Sequence, residues 1–133
     1  MVLRANATDY RVIKETTNTK MAYRYLGNTG LKVSVLSYGN WLTSDANTSD
    51  SQKLVTDCVR LCFENGVNFF DTAEIYATGA AETQLGIALK ALNTERRNIV
   101  ISTKLMKCGN GVNDSMLSRK HIIEGTRNCL KRL

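Results

Sequence analysis

The sequence predicts an α/β fold on a parallel sheet: a hairpin followed by about three strand–helix units. Three observations predict it. Short β-branched or aromatic runs alternate with amphipathic stretches of helical length, the runs end on polar residues, and the connecting loops are of modest length. Strands joined by helical crossovers pair in parallel with right-handed connections, which gives an open doubly wound sheet or a closed barrel. Element order alone allows both.

Residues 1–20 are polar and non-periodic and read as a flexible arm, so the fold is expected to begin near Met21. Residues 23–26 and 31–34 flank Gly27-Asn28-Thr29-Gly30, a hairpin signal. Residues 35–38 give a short strand ending at Gly39. Residues 48–50 offer N-caps for a helix whose apolar positions are Leu54, Val55, Cys58, Leu61 and Cys62, stopped by Gly66. A strand at 67–70 ends on Asp71. A second helix runs from about Ala81 to Leu92 with Leu85, Ala88, Leu89 and Leu92 on one face. The β-branched run 98–103 is too short for a helix and predicts a buried parallel strand that delivers Lys104 at its end. After a loop over 106–117, Ser118 caps a third helix whose apolar residues are Ile122, Ile123, Cys129, Leu130 and Leu133.

A chain of 133 residues suffices for one domain, since folding at this size buries roughly 65–70% of the unfolded surface. The apolar and charged fractions, 43% and 23%, are those of an ordinary globular protein, and no apolar run approaches the ~20 residues that span a bilayer. Membrane insertion is therefore not expected. The N-terminus lacks the apolar stretch of a signal peptide, which predicts a cytoplasmic location. There Cys58, Cys62, Cys108 and Cys129, which form no CxxC pair, would stay reduced and act as small hydrophobes. The sequons at Asn6, Asn47 and Asn113 carry little weight in that setting. The net charge of +6 raises nucleic acid as a partner, but Arg119, Lys120, Arg127, Lys131 and Arg132 share one helix without interleaved aromatics, so a solvated helix face is expected and nucleic acid is not.

Functional groups collect at the C-terminal ends of parallel strands, where the βα loops converge. Asp71 and Lys104 both fall there, and neighbouring strands about 4.8 Å apart let a carboxylate meet an ammonium. Tyr76, five residues past Asp71, can reach back over the same spot. A phenol with a reference pKa near 10 is a poor acid at neutral pH; an adjacent ammonium stabilises its phenolate, and a carboxylate keeps that ammonium charged. Such a trio is a proton donor suited to carbonyl reduction by hydride. Taken singly, each residue has a plainer reading: Asp71 as a strand-end cap, Tyr76 as cover for the core, Lys104 as a solvated strand terminus.

Residues 70–76, FDTAEIY, resemble the FDTAxxY signature of the aldo-keto reductases, and Ser102-Thr103-Lys104 resembles the strand end that supplies their lysine. Tyr23-Arg24-Tyr25-Leu26-Gly27, Gly30-Leu31-Lys32-Val33-Ser34 and Gly39-Asn40-Trp41 resemble the opening hairpin and first strand of that family. Residues 118–125, SRKHIIEG, are similar to the branch containing the cytoplasmic beta subunits of voltage-gated potassium channels. The resemblance covers residues 21–133. It implies a (β/α)8 TIM barrel, a fold that typically needs about 250 residues. This chain is then expected to be its N-terminal portion, an incomplete barrel domain over 21–133 after the arm.

The resemblance further implies an oxidoreductase that reduces aldehydes or ketones by hydride transfer from NADPH. Tyr76 would be the proton donor, assisted by Lys104 and Asp71. Cofactor contacts would include Asp71, Trp41 on the nicotinamide side, and Asn40, which stands where the family usually has threonine. The fourth catalytic position, a histidine or in channel beta subunits an asparagine, belongs to the next strand, and the loops for the cofactor's phosphates belong to later ones. The single histidine, His121, lies at the start of the third helix and is read as structural. Gly109-Asn110-Gly111 lacks the third glycine of a Rossmann fingerprint. Implied partners are a small carbonyl substrate, a voltage-gated channel and further copies of the chain. Two alternatives to a working enzyme follow: a channel-associated regulatory protein, and an inactive truncated product whose open sheet edge would aggregate unless covered.

Overall fold

The computed structural model describes residues 20–41 and 49–133, so the expected N-terminal arm, the N-cap candidate Thr48 and the sequons at Asn6 and Asn47 lie outside the described residues. Strands β1 (Tyr23–Tyr25) and β2 (Lys32–Ser34) pair antiparallel with Arg24 opposite Val33, the expected hairpin. Its turn is closed by Leu26 N donating to Leu31 O at 2.8 Å and Thr29 Oγ1 donating to Leu26 O at 2.7 Å. The following strand, β3, is only Tyr38–Gly39, not residues 35–38. Val35 N donates to Ala22 O at 2.9 Å and Ser34 Oγ to Leu36 O at 2.6 Å, so these residues prolong the hairpin and turn before the chain enters the parallel sheet.

Helix α1 (Ser49–Glu64) ends as expected: Gly66 takes φ 89°, the left-handed conformation that glycine adopts without steric cost, and Val67 N donates back to Cys62 O at 3.0 Å. Its buried face differs from the expected one. Val55 and Val59 are fully buried and Cys62 and Phe63 pack beside them, whereas Leu54 and Leu61 are mostly exposed. The helix presents the stripe at 55, 59, 62 and 63 to the sheet, a quarter-turn away from the leucines.

Strand β4 (Phe69–Asp71), a tight turn at Tyr76–Gly79 in which Ala77 and Thr78 take left-handed φ of 48° and 54°, and helix α2 (Ala80–Ala91) form the second unit. Strand β5 (Val100–Ser102) and helix α3 (Arg119–Arg132) form the third, with a 3₁₀ turn at Arg96–Asn98 taking the start of the run read as strand. Ser118 caps α3 as expected, its hydroxyl accepting from His121 N at 3.1 Å. Strands β3, β4 and β5 pair in parallel and in chain order, with Gly39 opposite Asp71 and Asp71 opposite Ser102. The core lies between this sheet and the helices: Phe70, Val55, Val59, Leu85, Ala88, Leu89 and Ile99. Each large side chain buried there contributes roughly 1.5–3 kcal/mol.

Strand β5 is half-buried rather than fully buried, because among the described residues no strand pairs with its outer edge. A cavity of about 380 Å³ opens on that side, lined by Ile101, Leu105, Cys129, Leu130 and Leu133 with polar neighbours. Ile122 and Leu130, expected on the apolar face of α3, are exposed; His121, Gly125 and Cys129 are what it buries. Arg119, Lys120, Arg127 and Lys131 are solvated as expected, but Arg132 is not. Its Nε donates to Glu82 Oε2 at 2.6 Å, and Thr103 Oγ1 donates to Glu82 Oε1 at 2.6 Å, so one buried carboxylate ties α2, β5 and α3 together. At the same junction a Cβ on Gly86 would lie 2.2 Å from Arg132 O, which only glycine permits. None of the four cysteines is bonded to another, and no described helix is long and apolar enough to cross a membrane.

Candidate active site

The parallel register sets the site. Asp71 and Ser102 are paired residues at the ends of β4 and β5, and Ser102 Oγ donates to Asp71 Oδ1 at 2.6 Å. Two residues beyond Ser102, Lys104 turns its ammonium back over the same strand end. Its three donors are all used: Asp71 Oδ2 at 2.6 Å, Thr72 O at 2.8 Å and the Tyr76 hydroxyl at 3.4 Å. Asp71, Tyr76 and Lys104, separated by as much as 33 residues, therefore meet as their strand-end positions predict.

Burial by itself would lower the Lys104 pKa, but the hydrogen bond and charge of Asp71, with a smaller contribution from Tyr76, raise it above its ordinary value. The ammonium is thus charged at neutral pH. The Lys104 and Asp71 side chains retain 51% and 36% of their exposure. An ion pair so open to water contributes little to stability. Its consequence is orientation: the pair aims a permanent cation at one phenol oxygen.

Trp41, placed after β3, stacks on the Tyr76 ring with centroids 5.8 Å apart and planes at 21°. Lys104 Nζ lies 5.1 Å from the same ring centroid. The indole is 64% exposed, so it offers an aromatic face to the space above the strand ends. Asn40 lies elsewhere in character: it is fully buried, its Nδ2 donates to Ala81 O at 2.7 Å, and its Oδ1 has no partner. The 380 Å³ cavity at β5 includes none of these five residues.

Three contributors escaped the sequence reading. Ser102 and Thr72 hold the two charged groups through a hydroxyl and a main-chain carbonyl, and their neighbours in the motifs carried no separate signal. Glu74 is the third. It is 1% exposed, and its carboxylate accepts from His121 Nε2 at 2.8 Å. In the sequence the only clues were an acid inside FDTAEIY and the single histidine in a helix rich in cations.

The family model for the aldo/keto reductase family matches residues 35–133. Over 113 residues the chain is 50% identical to a protein of Arabidopsis thaliana described as a probable voltage-gated potassium channel subunit beta, and 48% identical over 115 residues to one of the same description from Oryza sativa subsp. japonica. Each alignment covers 85% of this chain and 34% of the relative, so the chain spans about a third of the length of these curated relatives. Among solved structures, an aldo-keto reductase from Bacillus halodurans in its holo form superposes with TM-score 0.66 at 29% identity, covering 85% of this chain and 36% of that one. A putative aldo-keto reductase from Pseudomonas aeruginosa gives TM-score 0.66 at 32% identity, covering 84% and 41%. The hairpin and three βα units in chain order are accordingly the N-terminal portion of a (β/α)8 barrel, and the chain belongs to the aldo/keto reductase family.

Proposed function

We propose that the chain carries the proton-donor half of a carbonyl-reducing site that works with NADPH, Tyr76 being the acid. The observation that supports this most directly is the threefold commitment of the Lys104 ammonium, to Asp71, Thr72 O and the Tyr76 hydroxyl. A carbonyl reduced by hydride acquires two electrons at carbon and negative charge at oxygen, and that oxygen must receive a proton. Tyr76 supplies the proton through its hydroxyl. The phenolate left behind is stabilised by Lys104, which is already charged and already hydrogen-bonded to that oxygen. Asp71 does not exchange protons with the substrate; it keeps the ammonium charged and fixed, and Ser102 in turn fixes Asp71.

The residues present fit the nicotinamide end of the cofactor. Trp41 provides an exposed aromatic face beside the phenol, and Asp71 provides a carboxylate at the strand end. When bound, NADPH supplies the hydride. Asn40, fully buried with its amide committed to Ala81 O, acts on that side only by anchoring the start of α2 to Trp41's segment. The substrate class is a small aldehyde or ketone.

The test is NADPH consumption with an aromatic aldehyde by the protein carrying this sequence, compared with its Tyr76→Phe variant. Loss of general acid catalysis lowers turnover by about 10²–10⁴-fold. Unchanged turnover in Tyr76→Phe overturns the reading. A second reading, a channel-associated subunit, is favoured by the descriptions of the plant relatives at about half identity. Co-purification with the cytoplasmic domain of a voltage-gated potassium channel tests it, and the two readings are compatible in one protein.

A further inference from the structure

The loop that carries Tyr76 does not hang free from the end of β4. Beyond the last paired residues, Thr72 N donates to Ser102 O at 2.9 Å and Glu74 N donates to Lys104 O at 3.1 Å. These bonds continue the parallel ladder two steps past the strands. At the following step the chain has turned toward the tight turn at Tyr76, and no main-chain carbonyl takes the next donor. The Glu74 carboxylate takes it: Oε1 accepts from Met106 N. Glu74 thus grips the main chain at Lys104 O and Met106 N, on either side of Leu105, while standing two residues before Tyr76.

The same Oε1 accepts from His121 Nε2 at 2.8 Å. His121 is 3% exposed and sits in the first turn of α3, where its own N–H is bound by the Ser118 hydroxyl at 3.1 Å. Gly125, one turn later, makes room for the carboxylate: a Cβ there would lie 3.1 Å from Glu74 Oε2 and 3.7 Å from His121 Nε2. Three segments, the β4 loop, the chain after β5 and the start of α3, therefore converge on one buried carboxylate.

We propose that Glu74 and His121 act together as positioning residues for Tyr76, the latch that sets its distance from Lys104. Neither touches the reacting atoms. Their effect is to convert a flexible loop position into a fixed register, and a misplacement of about 1 Å at a reacting group is enough to lower rate about a hundredfold. The inference rests on Tyr76 being the proton donor, but its readout below is independent of turnover, so failure of the Tyr76→Phe assay and failure of the latch are separate results.

Trp41 is the only tryptophan, and it stacks on Tyr76. Its emission in the 133-residue chain reports whether the Tyr76 ring is in place, with Tyr76→Ala as the reference for a lost stack. Glu74→Ala and His121→Asn, the latter polar but too short to reach Glu74, are expected to take the Trp41 emission spectrum and lifetime to those of Tyr76→Ala. Glu74→Gln, which keeps the acceptor for Met106 N, is expected to restore the wild-type signal. Far-UV circular dichroism establishes that each variant is folded; if Glu74→Ala is not, His121→Asn decides. Folded variants with wild-type Trp41 emission overturn the proposal. Loss of fold in both variants makes the pair a stability element alone and overturns it equally.

Discussion

Replacing Arg132 by methionine tests the junction of α2, β5 and α3. Glu82 is fully buried, and its two carboxylate oxygens are bound by Thr103 Oγ1 and Arg132 Nε, each at 2.6 Å. Methionine preserves much of the arginine stem's packing and removes the charge, so the buried Glu82 carboxylate is left without its cationic partner. Removing one partner of a buried ion pair costs about 3–5 kcal/mol. The Arg132 side chain keeps 25% of its exposure, which lets water reach the vacated position and places the cost at the lower end, about 3 kcal/mol. For a chain of this length that corresponds to a fall in Tm of about 10 °C. The assay is thermal and urea unfolding followed by circular dichroism at pH 7. Adding Glu82→Gln to Arg132→Met removes the stranded charge and is expected to recover at least half of the loss, a coupling well beyond the ~0.5 kcal/mol scatter of independent sites. An Arg132→Met cost below about 1 kcal/mol, or additive single and double variants, refutes the reasoning.

Gly86→Ala places a methyl group 2.2 Å from Arg132 O, a main-chain atom that cannot rotate away. Overpacking of this kind costs about 1–3 kcal/mol, measurable as a lowered urea midpoint at unchanged slope. The Cys129 thiol is pushed up to about 11, chiefly by burial and then by its hydrogen bond to Glu82. Iodoacetamide at pH 8 with peptide mass spectrometry should therefore label Cys129 last of the four cysteines. The raised Lys104 pKa sets the direction of a pH effect: the Asp71–Lys104 attraction is complete below the ordinary lysine value of 10.5 and is lost as pH rises through the higher folded-state value. The ¹⁵Nζ resonance of Lys104 should hold its charged position through pH 10, and titration at or below 10.5 contradicts the site geometry.

The residues of the candidate site were readable as neighbours because the signal that marks them is local. Asp71 and Lys104 are the polar residues that terminate apolar runs, and a parallel register then brings them together without further information. The hairpin, the Gly66 stop and the Ser118 cap follow from equally local chemistry. What was not readable depends on distant partners. Leu54 and Leu61 satisfy helical periodicity as well as Val59 does, and only the position of the sheet selects the valines. Val35 has the composition of a strand residue, yet its N–H is taken by Ala22 of the hairpin. Glu74 and His121 are 47 residues apart and carry no shared spacing, so their contact emerges only when α3 docks. Arg132 resembles its solvated neighbours in every respect except the carboxylate it faces on α2.

The chain-order sheet also bears on how such a protein can be made. Because β3, β4 and β5 are neighbours in the order in which they occur, each strand adds to an edge already present when it leaves the ribosome. Domains form from the N-terminus at synthesis rates of about 5–20 residues per second. The Asp71–Lys104 contact needs only β4 and β5, so it can close within seconds of Lys104 emerging. The strand ends that carry Asp71 and Lys104 can in this sense be assembled as soon as their two strands exist.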